Sequence, residues 1–191
     1  MALQEIIVRT RPTHVVMAHA EPGLAAFVDS ILTLLDIPSP TIVWASPKVE
    51  APKGLTARVR AVNGEPNSPK TLRRIAQNLG AAEATLVLYA ADGQPKLTVK
   101  NLADYAGFVG HRCYLVALRT ALGQPWIGYA RMRGARAVAD LVKSDPSLVL
   151  DTSWERNVLT SCPSGIVLRV GPPGRSYDES LDRIAEPADP A

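Results

Sequence analysis

From Ala84 to Ala90 the chain reads Ala-Thr-Leu-Val-Leu-Tyr-Ala, seven residues without a charge. A run this short and this apolar fits a strand covered on both faces, and such strands belong to parallel sheets with helices above and below. The flanks agree. Asp92-Gly93 and Pro95 mark a loop, Asn101 to Gly110 has helical character with Asp104 in its first turns, and Cys113-Tyr-Leu-Val-Ala-Leu118 is a second apolar strand.

The same alternation extends in both directions. His14-Val-Val-Met-Ala18 predicts a strand that ends in His19-Ala-Glu21-Pro22-Gly23. Phe27, Val28, Ile31, Leu32 and Leu35 then recur at helical spacing, and Pro38 and Pro40 stop that helix before the strand Thr41 to Ala45. After a loop from Ser46 to Gly54, Leu55 to Val62 alternates imperfectly and predicts an exposed or edge strand. The next helix has the clearest boundaries in the chain: Ser68 as cap, Pro69 in the first turn, an apolar face of Leu72, Ile75, Ala76 and Leu79, and Gly80 as terminator.

Beyond Leu118, Trp126 to Ala130 is read as a strand or lid, Ala135 to Lys143 as a helix, Ser147 to Asp151 as a strand, and Gly165 to Val170 as the strand that closes the sheet. Ahead of everything, Glu5-Ile-Ile-Val-Arg9 reads as an edge strand or arm interrupted by Pro12. The expected fold is α/β: an open, mostly parallel, doubly wound sheet of flavodoxin-like or Rossmann-like kind with helices on both faces. Residues 1–174 form one domain in this reading. Residues 175–191 follow as a short helix, with Ser176-x-x-Glu179 as its capping box, and a frayed tail.

Composition narrows the functional classes. With 191 residues, 47% apolar and 20% charged, the chain suits a globular domain that needs neither disulfides nor metal. Cys113 and Cys162 show no paired spacing, and the histidines His14, His19 and His111 are scattered, so no metal site is indicated. No apolar run approaches the ~20 residues of a membrane span, and no signal peptide is visible, so a soluble, cytoplasmic protein is expected. A net charge of +3 with scattered Lys and Arg, and only 5% aromatic residues, gives nucleic-acid binding no specific support. Homo-oligomerisation is a fold-level expectation.

In sheets of this class ligands bind beyond the carboxyl ends of the strands. The ligand-binding candidates there are His19 and Glu21 after the first strand, Ser46 and Lys48 after the second, Asp92 after the central one, and Arg119 and Thr120 after the next. Neither a G-x-G-x-x-G turn nor a P-loop is present, and no G-x-S-x-G elbow surrounds a nucleophile, so no cofactor is indicated. Cys162-Pro-Ser-Gly165 matches no nucleophile pattern.

The succession His14 to His19, a helix, a second strand, Ala84 to Asp92, and then Asn101-Leu-Ala-Asp104-Tyr-Ala-Gly-Phe108-Val-Gly110 resembles the TIR-like and nucleoside deoxyribosyltransferase-like group. The likeness spans Thr13 to Leu118. It places Asp104 where those families carry a catalytic acid, with aspartate in place of the usual glutamate. The resemblance implies a nucleotide ligand and a hydrolase or transferase acting on the N-glycosidic bond of NAD or a related nucleotide. There a carboxylate stabilises or attacks an oxocarbenium-like centre. Two other readings stand beside it: Asp104 as an acid complementing a helix dipole, and the whole chain as a non-catalytic interaction or ligand-sensing module of the same fold.

Overall fold

The computed structural model describes residues 2–37, 40–47, 56, 58–80, 85–90, 98–118, 133–155 and 165–171. In chain order its elements are α1 (Ala2–Thr10), β1 (His14–Ala18), α2 (Pro22–Leu34), β2 (Thr41–Ser46), β3 (Val59–Asn63), α3 (Pro69–Leu79), β4 (Thr85–Ala90), α4 (Val99–Ala106), β5 (Tyr114–Leu118), α5 (Arg133–Ser144), β6 (Leu148–Leu150), a 3-10 turn (Thr152–Glu155) and β7 (Ile166–Arg169). Seven strands make one sheet in the order β3-β2-β1-β4-β5-β7-β6. The pairs from β3 through β5 are parallel, whereas β7 is antiparallel to both β5 and β6. The expected α/β architecture with a mostly parallel, doubly wound sheet is therefore the one observed.

Two apolar layers follow from the period-2 alternation of the strands. Val16, Ala18, Val43, Ala45, Val87 and Tyr89 face α3, α4 and α5, where Leu72, Ile75, Leu102, Tyr105, Val138 and Leu141 meet them. Val15, Met17, Ile42, Trp44, Leu86 and Leu88 face the other way, onto Ile6 and Ile7 of α1 and Ala25, Val28 and Leu32 of α2. Every residue of β4 is buried, as its composition requires.

Three expectations need correction. The segment Glu5 to Arg9 is helix and not an edge strand: Leu3, Ile6, Ile7 and Thr10 recur at helical spacing, and Ile6 and Ile7 are wholly buried. Burial of that stripe overrides the strand preference of a β-branched run. β7 does not close the sheet; it lies between β5 and β6, and β6 is the edge. Finally, α4 stops at Gly107, ahead of the Gly110 expected to end it; of the two cap candidates the sequence offers, Thr98 and Asn101, Thr98 is the cap, its hydroxyl accepting from the Asn101 amide at 3.2 Å.

β3 is the edge strand its alternation predicts. The chain entering it is fixed by Asp29 of α2, a buried carboxylate that accepts from the Thr56 amide at 3.1 Å and hydroxyl at 2.6 Å and pairs with Arg58 at 3.3 Å. The expected strand or lid at 126–130, the C-terminal helix and tail, and Cys162 lie outside the described residues.

Candidate functional site

The chain travels from β1 outward through β2 to β3, then returns to β4 and continues outward on the other side. β1 and β4 therefore flank the point where the strand order reverses, and the cleft beyond their carboxyl ends is where an open α/β sheet accepts a ligand. Among the described residues, the side chains there come from the turn after β1, the loop between β3 and α3, and the first turns of α4.

His19 leaves β1 with a left-handed φ of 54°. For a residue with a Cβ this conformation costs about 1 kcal/mol, so the surroundings must hold it. The His19 amide donates to the Ala45 carbonyl of β2 at 3.1 Å. Its Nε2 lies 3.1 Å from Asn67 Nδ2, and its ring stands edge-on to Tyr89 with centroids 5.5 Å apart.

The loop carrying Asn67 is anchored from below. The Tyr89 hydroxyl donates to Asn67 Oδ1 at 3.1 Å, and the buried Tyr105 hydroxyl donates to the Pro66 carbonyl at 2.8 Å. Tyr89, Tyr105 and Phe108 pack edge to face, with centroids 5.1 and 5.9 Å apart. Thus an aromatic ladder from β4 and α4 fixes the height of the loop that faces His19.

Two described carboxylates act on Tyr89. Burial raises the Tyr89 hydroxyl's pKa, against hydrogen bonds to Asn67 and Asn101, and the carboxylates Glu65 and Asp104 raise it further. Asp104 is half-buried on α4, and burial pushes its own pKa upward while Lys100 opposes the shift. Glu65 and Asp104 thus both act on Tyr89 at the mouth of the switch point.

The other expected residues lie at the ends of α2 and β2 or outside the described residues. Glu21 is the N-terminal cap position of α2; its carbonyl accepts from Leu24 at 3.0 Å, and its side chain makes no capping bond. Ser46 ends β2 in register with Asn63 of β3, and its carbonyl accepts from the Gly64 amide at 3.1 Å. Asp92, Lys48, Arg119 and Thr120 lie outside the described residues. Sequence reasoning missed Asn67, Glu65, Tyr89 and Tyr105. Asn63 to Asn67 reads only as a turn, Tyr89 only as part of a buried strand, and Tyr105 only as a residue of the helix after it, although a hydroxyl at the end of a buried strand is a signal that a polar partner must be near.

Among the described residues no group of three or more His, Cys, Asp and Glu side chains is placed to hold a metal ion. No described helix is long and apolar enough to cross a membrane.

No protein-family model and no curated protein matches the chain. Solved structures do. The CmcI-N160 apo-structure matches with TM-score 0.64 at 12% identity, covering 90% of this chain and 70% of that one. A structure described as cmcI-D160 Mg-SAM matches at 0.60 and 14%, covering 89% and 70%. One described as cmcI-N160 SAH matches at 0.61 and 12%, covering 89% and 75%. At such identities the likeness is one of fold: a seven-stranded, mostly parallel open sheet of Rossmann-like kind.

That finding corrects the TIR-like and deoxyribosyltransferase-like resemblance. A flavodoxin-like sheet has the order 2-1-3-4-5, whereas this one carries two further strands and inserts an antiparallel β7 beside β5. The segment Asn101 to Gly110 supplies an ordinary capped helix followed by a turn, a pattern that many α/β units share. Cleavage of an N-glycosidic bond by Asp104 falls with the resemblance, and so does the sensing or interaction module that was its alternative.

Proposed function

We propose that this chain is a methyltransferase-like protein whose cleft beyond β1, β2 and β4 binds a ligand of the S-adenosylmethionine and S-adenosylhomocysteine kind. The observation that carries the reading is the sheet itself, with β7 inserted antiparallel between β5 and β6. Solved structures of similar fold hold SAM and SAH.

The residues present fit such a ligand better than a dinucleotide. A dinucleotide needs a glycine-rich turn that lets the backbone approach its pyrophosphate; here that turn carries His19 and Glu21. A sulfonium is a cation without phosphate, and Glu65 and Asp104 give the cleft the matching sign. In this reading His19 and Glu21 line the ligand from the turn after β1, and Ser46 meets it from the end of β2. When bound, an S-adenosylmethionine supplies an electrophilic methyl group.

Thermal unfolding with S-adenosylhomocysteine, S-adenosylmethionine and NAD tests the proposal. A ligand at 100 times its Kd stabilises by about 2.7 kcal/mol, and a chain of this length gains roughly 2–4 °C per kcal/mol. A clear rise with either sulfur nucleoside and none with NAD is expected. No rise with either one at millimolar concentration overturns it.

A further inference from the structure

α2 differs from the other described helices in what it turns to solvent. The exposed residues of α1 include Glu5 and Arg9, those of α3 Lys70, Arg73 and Arg74, that of α4 Lys100, and those of α5 Arg136 and Lys143. On α2 the exposed residues are Pro22, Gly23, Phe27, Ser30, Thr33 and Leu34, and none carries a charge. Its one ionisable residue, Asp29, is buried and paired with Arg58 at 3.3 Å.

The hydroxyls on this face are already satisfied. Ser30 Oγ donates to the Ala26 carbonyl and Thr33 Oγ1 to the Asp29 carbonyl, each at 2.8 Å. Both protons are bent back onto the helix, so covering the face strands neither. Phe27, Ile31 and Leu34 follow at i, i+4 and i+7 and share one stripe; Phe27 is 40% exposed and Leu34 81%. The Arg11 guanidinium donates to the Leu35 carbonyl at 3.1 Å, which sets the end of α1, where Val8 is also exposed, beside the end of α2.

We propose that this face is where two copies of the chain meet, with α2 packed antiparallel on α2 of the second copy. A two-fold contact turns one patch on itself, so any charge of a single sign there meets its own copy. The chain carries a net charge of +3, and α2 is the described helix that can face itself without such repulsion. With the axis beside Ser30 and Ile31, Phe27 of each copy meets Leu34 of the other, and the helix dipoles are opposed. Glu21 and Asp36 lie beyond the two ends of the helix. Its 13 residues span about 20 Å. That is a small core for an interface, so a reversible dimer with a micromolar Kd is expected. The proposal does not depend on the ligand assigned to the cleft.

Sedimentation velocity of the full-length chain across the micromolar range tests it. The expected result is a monomer–dimer equilibrium that Leu34→Lys abolishes with no change in Tm, because that side chain is already in water. Phe27→Glu should abolish it too. Mixing the two variants should restore a dimer, since Lys in one copy then meets Glu in the other while the remaining Phe27 and Leu34 still pair. A native chain that stays monomeric throughout, a dimer that Leu34→Lys leaves intact, or a mixture that does not associate overturns the proposal. Co-sedimentation with phosphatidylcholine vesicles runs beside it: a native monomer that pellets with them, where Leu34→Lys does not, gives the face to a lipid surface and overturns the dimer.

Discussion

Arg169 of β7 donates through Nη2 to the main-chain carbonyl of Ala106, the last residue of α4, at 2.6 Å across 63 residues of sequence. Its Nη1 donates to Ser147 Oγ at 2.7 Å, and Asp145 lies 3.8 Å from Nη2. One guanidinium, 1% exposed, thus joins the end of α4 to the turn between α5 and β6. Burial lowers its pKa, with Asp145 acting in the opposite sense. A lysine has no planar fork and cannot serve both partners at once. Arg169→Lys is expected to cost about 1.5–3 kcal/mol, the range of one hydrogen bond to a charged group. Unfolding in denaturant measures it, and a midpoint unchanged from native would show that the fork is dispensable.

Most of the sheet was legible because fully buried parallel strands announce themselves: β1, β2, β4 and β5 are short uncharged runs, and α2 and α3 are bounded by proline, serine and glycine. What was not legible depends on partners far away. Nothing local in Gly165 to Val170 says that β7 runs antiparallel inside the sheet, yet that one strand separates this fold from the 3-2-1-4-5-6 order of a dinucleotide-binding sheet. The site was half legible. The rule that ligands gather beyond strand ends located His19, but Asn67 acquires its role only when β3 and β4 bring it beneath that ring.

Asp151 gives a pH dependence with a definite sign. Burial alone would raise its pKa, but hydrogen bonds from the Ser153 hydroxyl, the Tyr114 hydroxyl, the Ser153 amide and Trp154 Nε1 outweigh it and hold the carboxyl below its ordinary value. A folded pKa below the unfolded one, about 4, means stability present above pH 4 and lost as pH falls through the folded pKa. Asp151→Asn should lower stability at neutral pH and make the acid limb of the stability curve shallower. Thermal unfolding from pH 2 to 7 reads both; parallel curves for the two proteins would remove Asp151 from the acid response.

Cys113 is buried before β5, and burial pushes its thiol up to about 11. The thiolate is the reactive form, so alkylation at pH 8 should leave Cys113 unmodified in the folded chain and label it fully in denaturant. Peptide mass spectrometry distinguishes it from Cys162. Rapid labelling in the native state would mean that the β5 face of the core opens far more readily than its packing allows.

Tyr105→Phe isolates the anchor beneath the cleft. The ring contacts to Tyr89 and Phe108 survive, but the Pro66 carbonyl loses a buried hydrogen bond of 2.8 Å. Leaving such an acceptor unsatisfied costs about 1–3 kcal/mol, and here the strain falls on the loop that positions Asn67 against His19. Stability should drop by that amount. If the cleft binds S-adenosylhomocysteine as proposed, affinity for it should fall several-fold as well, because the wall of the cleft is no longer fixed before the ligand arrives. Calorimetric titration at a temperature where both proteins remain folded separates the two effects. A stability loss with unchanged affinity would place the Tyr105 to Pro66 bond in the core alone, and the Pro66 to Ser68 loop would no longer count as part of the binding surface.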